Sequence, residues 1–139
     1  MTYPQEAIEK LTETIQTDSP ATLNWLINNG YKELTMITEA ACGDDKSLEW
    51  LIRNKHIIIA AFINAVREDS KAFDLLFKLK AFVWAAAANV VNGDKKAAVW
   101  LRDNKLEYFV KFAVILKEKI RRDSDEGLMN SITKVGSPY

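Results

Sequence analysis

The chain has 139 residues, enough for one domain with a continuous core, and its hydrophobic fraction of 48% and charged fraction of 27% are ordinary for a soluble globular protein. Lysine plus arginine balance aspartate plus glutamate at 19 each, which removes any global attraction to nucleic acid or to an anionic membrane. A single cysteine, Cys42, excludes an intrachain disulfide; the opening residues lack the basic and apolar regions of a secretory signal, no apolar run reaches the length of a membrane span, and a cytoplasmic protein is expected.

The first element is a helix over about 4–17. Thr2 and Gln5 have the spacing of a capping box, Pro4 suits the first helical turn, and Ile8, Leu11 and Ile15 form an apolar stripe. Glu6, Glu9, Lys10 and Glu13 can solvate the opposite face, as an end cap requires, so residues 1–20 read as an N-terminal cap.

From residue 21 the chain is periodic. Trp25, Trp50 and Trp100 fall at a spacing of 25, Leu75 fills the missing place, and each is followed by leucine: Leu26, Leu51, Leu76 and Leu101. The register divides the chain without insertion or deletion into four copies, 21–45, 46–70, 71–95 and 96–120. A fixed period in this range is the signature of stacked repeats.

Each copy splits into two helical halves. The shorter halves are expected near 22–28, 47–53, 72–79 and 97–103, with Asp44, Asp69 and Asp94 in one column ahead of them as N-caps. Asn29-Gly30, Asn54-Lys55 and Asn104-Lys105 align as the break between halves, because asparagine and glycine tolerate the left-handed conformation that ends many helices. Copy three carries Leu79-Lys80 instead, which predicts a less sharp turn or two partly continuous helices. The longer, more apolar halves fall near 31–42, 56–68, 81–92 and 106–121. Leu34, Ile59, Trp84 and Phe109 share one column; Ile37, Phe62, Ala87 and Phe112 share the next, and Gly43 and Gly93 align as helix stops.

Helix 106–121 is apolar over most of its circumference, so it needs cover on two sides, and copy three supplies one. Two covers are available. The tail, 121–139, could fold back as a short helix capped by Ser124, with Leu128, Met129, Ile132 and Val135 as its stripe; the other cover is a second molecule.

The expected architecture is all-α: a short right-handed solenoid of four 25-residue helical hairpins with an N-terminal cap helix and a C-terminal tail helix, as one domain. The motif [Leu/Phe/Ala]-x-[Trp/Leu]-Leu, an Asn/Lys turn, an apolar helix and an Asp-containing loop resembles the α-solenoids formed by HEAT-like helical hairpins, with some flavour of ankyrin helices. The copies are shorter than the usual unit of either family, and the ankyrin Thr-Pro-Leu-His signature is absent. The resemblance implies a protein-binding scaffold by analogy of fold.

Nothing in the chain reads as catalytic machinery. There is no Walker loop, GxGxxG, HExxH or GxSxG motif, and a lone histidine, His56, half a repeat from Cys42 does not make a metal site. No enzyme, metal or cofactor is expected. The tryptophans read as packing residues. Lysines form two columns, Lys46, Lys71 and Lys96 beside the capping aspartates, and Lys55, Lys80 and Lys105 at the turn between halves. Stacking would set the second column in a line with steps of roughly 10 Å. The expected function is a non-enzymatic protein-interaction module whose partner, another protein, meets Lys55, Lys80 and Lys105 or the last apolar helix at Tyr108, Phe112 and Ile115. The alternatives are a nucleic-acid-associated protein using the same lysines, against which the lack of interleaved aromatics argues, and a homodimer built on the last copy.

Overall fold

The computed structural model describes the backbone of residues 3–136 and the side chains of residues 3–125. It is all-α, with no strand among the described residues. The helices are α1 (Gln5–Thr17), α2 (Pro20–Asn28), α3 (Lys32–Thr35), α4 (Ile37–Ala41), α5 (Asp45–Arg53), α6 (Ile57–Val66), α7 (Ser70–Lys78), α8 (Phe82–Val91), α9 (Lys95–Asp103) and α10 (Glu107–Gly136). Helices α3 and α4 are one segment interrupted at Met36, where the Thr35 hydroxyl donates back to the Lys32 carbonyl at 2.6 Å and so competes with the helical ladder.

Two turn geometries alternate along the chain. The first follows α2, α5, α7 and α9, where Gly30, Lys55, Lys80 and Lys105 all have positive φ, between 58° and 84°. The next amide in each case, of Tyr31, His56, Ala81 or Leu106, donates to the carbonyl of Leu26, Leu51, Leu76 or Leu101 at 2.8–2.9 Å. This is the Schellman closure, in which a left-handed residue lets two amides reach back to the last free carbonyls. Copy three keeps it unaltered, with Lys80 at φ 58° and Ala81 bonded to Leu76 at 2.8 Å, so the blunt or continuous turn expected from Leu79 does not occur. What that copy lacks is a side-chain bond: Asn29, Asn54 and Asn104 donate from Nδ2 to the carbonyls of Trp25, Trp50 and Trp100 at 2.7–2.8 Å, and leucine cannot.

The second turn carries Asp18, Gly43, Glu68 and Gly93 at positive φ. After the last three, the amides of Asp44, Asp69 and Asp94 close a second Schellman bond, to Glu39, Asn64 and Asn89. The same aspartates then accept from the amides of Lys46, Lys71 and Lys96 at 2.9–3.1 Å, which caps the following helix. One residue therefore ends one helix and starts the next.

Burial divides the helices into two kinds. Helices α5, α7 and α9 each bury a narrow stripe: Ser47 and Leu51, Ala72 and Leu76, Ala97 and Leu101. Helices α6 and α8 are buried over most of their length, and α6 packs on α4 and α8, while α8 packs on α10. The four leucines that follow the Trp/Leu column are fully buried. The preceding aromatics are not: Trp25 and Trp50 are half-buried, and Trp100 is 42% exposed, so the column expected to be core is a flank beside it.

The first and last helices meet. Helix α1 packs extensively on α10, and α10 also reaches α4. Phe112, fully buried, sits with Phe62 at 5.8 Å, Trp84 at 6.0 Å and Phe109 at 6.2 Å between ring centroids. Tyr3 approaches the other edge of Trp84 at 5.9 Å. The cover that α10 requires is thus α1, neither of the two covers expected. Nor can residues 121–136 fold back over the apolar face of α10, because they continue the same helix through Ser124 to Gly136. The stripe expected at Leu128, Met129, Ile132 and Val135 lies outside the residues whose side chains are described.

Candidate functional site

The edge formed by the first kind of turn gathers the features with no structural role in the core. Lys55, Lys80 and Lys105 are all exposed there. Their backbone conformation is required by the Schellman closure, whereas their side chains are free to meet solvent or a partner. A lysine at positive φ is disfavoured relative to glycine, which stands at the same place in copy one.

The charge along this edge is uneven. Segments 52–57 and 77–82 hold four cations, Arg53, Lys55, Lys78 and Lys80, and no acid. In segment 102–107 the Arg102 Nε donates to Glu107 at 2.9 Å, and Asp103 stands two residues from Lys105. The three lysines are therefore not equivalent: positive charge is concentrated on copies two and three and locally offset on copy four.

The same two segments expose large apolar side chains. Ile52 is 50% exposed, Phe77 48%, Phe82 44%, Leu79 43% and Ile57 42%. Phe77 lies 5.0 Å from Phe73 and 5.5 Å from Phe82 between centroids, giving a small aromatic cluster on the surface of copy three. Exposed apolar residues gathered in this way, rimmed by charge, mark interaction surfaces more often than isolated ones do.

Beside that cluster lies a cleft of about 340 Å³, lined by Lys80, Phe82, Trp84, Trp100, Tyr108 and Tyr3, among others. It brings Lys80 and Tyr108 together, without Lys55 or Lys105. It does not include Phe112, which is fully buried and unavailable to any partner, or Ile115, which is half-buried on α10. Phe112 as a partner contact is thus corrected: Phe62, Trp84 and Phe109 enclose it because α10 lies inside the fold. Sequence reading missed Phe77, Phe82 and Trp100. The signal that could have found them was Leu79, an apolar residue in a column where every other copy has asparagine.

Elsewhere the polar groups serve the fold. Buried Glu33 accepts from the Tyr3 hydroxyl at 2.9 Å, and His56 Nδ1 stands 3.9 Å from the same carboxylate oxygen. Burial, and then the Glu33 hydrogen bond and charge, push the Tyr3 phenol well above its ordinary range. His56 also stacks on Trp50 at 5.6 Å, and Tyr31 stacks on Trp25 at 6.0 Å. Lys32 and Lys10 lie over those indoles at 5.1 and 5.8 Å, completing two surface stacks on copies one and two. Cys42 is half-buried, and burial, aided by the Asp123 charge, raises its thiol pKa, away from the thiolate that nucleophilic chemistry uses. Among the described residues no helix is long and apolar enough to cross a membrane, and no group of three or more metal-ligating side chains is gathered.

Comparison with protein-family models, with curated proteins and with solved structures gave no match to this chain.

Proposed function

We propose that this chain is a non-enzymatic protein-interaction module, built as a short α-solenoid whose four 25-residue hairpins are wound tightly enough for the two ends to touch, and that it receives a protein partner along the turn edge of copies two and three. The observation that carries this reading is the copy-three turn, where Phe77, Leu79 and Phe82 are exposed between and beside Lys78 and Lys80. The fold gains nothing from that exposure, and Leu79 forgoes the turn bond that asparagine makes in the other three copies. A binding edge accounts for both.

The test is affinity capture with the full chain against the double variant Lys55→Glu/Lys80→Glu, both first shown to melt at similar temperatures. A partner retained by the natural chain and lost by the variant supports the reading; equal capture removes the edge from it. A nucleic-acid partner would instead bind homopolymeric RNA most tightly at low salt and release it steeply as salt rises.

A second reading, self-association through the last copy, is favoured by a groove between α9 and α10 where Val99 is 52% and Val114 40% exposed. Light scattering on a sizing column decides it: a monomeric mass at high protein concentration eliminates that interface.

A further inference from the structure

The turn of copy three and the cleft beside it differ in shape from the rest of the edge, and that difference specifies a partner. Phe77, Leu79 and Phe82 form the convex part, while Phe82, Trp84, Trp100 and Tyr108 wall the concave part, with Lys80 at its mouth. A cleft of about 340 Å³ is at the small end of ligand pockets and suits one large side chain better than a whole metabolite. Lys80 lines it and Lys78 stands two residues away, while Arg53 and Lys55 belong to the equivalent turn of copy two; segments 52–57 and 77–82 hold these four cations and no acid. Because the chain as a whole is neutral, with 19 charges of each sign, this positive field is local and acts only on a ligand that is already near the edge.

We propose, resting on the interaction reading above, that this surface binds an acidic peptide segment anchored by one aromatic or branched aliphatic side chain: the anchor enters the cleft between Phe82 and Trp100, and flanking carboxylates meet Lys80, Lys78 and Lys55. The apolar wall supplies the affinity and the lysines supply the orientation and the choice of an acidic partner over a basic one. An anionic lipid surface shares the charge but not the shape, since a bilayer surface leaves a recessed cleft between Trp84 and Tyr108 empty. Copy four contributes apolar wall and no free charge: Trp100 and Tyr108 line the cleft, while Arg102 is spent on Glu107 at 2.9 Å and Asn104 keeps the bond to the Trp100 carbonyl.

The probe is a phage-displayed library of short random peptides, panned on the full chain. Enriched sequences are synthesised and titrated against the natural chain, Lys78→Glu/Lys80→Glu and Trp100→Ala. All the substituted side chains are exposed, and each variant is checked by its circular-dichroism melt. The expected result is enrichment of an aromatic or leucine residue flanked by aspartate or glutamate, with affinity falling about tenfold or more in each variant. Binding should also weaken as salt is added. Peptides that depend on the edge but are neutral or basic overturn the acidic partner and leave the interaction reading intact. Peptides that bind both variants as well as the natural chain, or no enrichment at all, overturn both. Sedimentation with phosphatidylcholine vesicles containing about a third phosphatidylserine, lost in Lys78→Glu/Lys80→Glu and unaccompanied by acidic peptides, overturns the peptide in favour of a lipid surface.

Discussion

Replacing Phe112 with alanine tests the central packing claim, that α10 lies inside the fold against Phe62 of α6 and Trp84 of α8. The ring is fully buried against Phe62, Trp84 and Phe109. A phenylalanine buries roughly 150–250 Å², and at about 25 cal/mol per Å² the transfer contribution of the whole side chain is about 4–6 kcal/mol as an upper bound. Alanine retains a small part of this. The neighbours are large rings fixed by further contacts, including Tyr3 on Trp84 at 5.9 Å, so the cavity has little freedom to collapse. Measured phenylalanine-to-alanine losses of about 3–5 kcal/mol are therefore the expected range. With a urea slope of about 2 kcal/mol per molar, the unfolding midpoint should fall by about 2 M. Ile115→Ala, half-buried on the same helix, is the matched control and should cost less than half as much. A shift for Phe112→Ala no larger than that of the control would refute the enclosed position of α10 and return Phe112 to the surface.

Three other outcomes are expected. Leu79→Asn restores the Nδ2 bond to the preceding turn that the other copies make; it should raise stability by about 0.5–1 kcal/mol, read as a higher thermal midpoint, and an unchanged or lower midpoint would mean that the leucine packs usefully. Tyr3→Phe removes a donor from buried Glu33 and should cost about 1–3 kcal/mol near neutral pH. The raised phenol pKa of Tyr3 adds a pH signature: below the unfolded value near 10 its contribution is complete, and as pH rises above that value the unfolded chain ionises first, so stability falls; the phenylalanine variant should lose less in that alkaline window. Deleting residues 1–18 strips α1 from α10 and should give associating or unfolded material on a sizing column, whereas a soluble species in the same oligomeric state as the full chain would show that α10 tolerates exposure.

Local structure was legible in the sequence to the extent that it repeats. The spacing of Trp25, Trp50 and Trp100 set the register, and the helix starts after Asp44, Asp69 and Asp94 followed from capping chemistry. The break at Met36 was not read from the sequence, although Thr35 and Thr38 stand in a segment, 32–41, that is far more polar than α6 or α8, and the Thr35 hydroxyl is the group that bonds back to the Lys32 carbonyl. Leu79 misled in a specific way: the left-handed residue of that turn is Lys80, and the Schellman bonds use only backbone atoms, so losing asparagine removes a brace and not the turn. The meeting of α1 with α10 left no mark in the pattern, because it joins residues about a hundred positions apart and depends on the accumulated rotation of all the turns between. An apolar surface on helix 106–121 correctly demanded cover, and amphipathic patterning is silent about which segment provides it. For the candidate edge, the lysine column was visible and its exposed aromatic companions were not, since Phe77 and Phe82 look no different from core residues until their burial is known.

The aspartates that close one turn while capping the next helix leave no spare residue at the junction. A single inserted amino acid there would part the amide that closes one helix from the carboxylate that caps the next, and would alter the path that brings α10 beside α1. The contact between the first and last helices thus makes residues that look like plain connectors part of what seats α10.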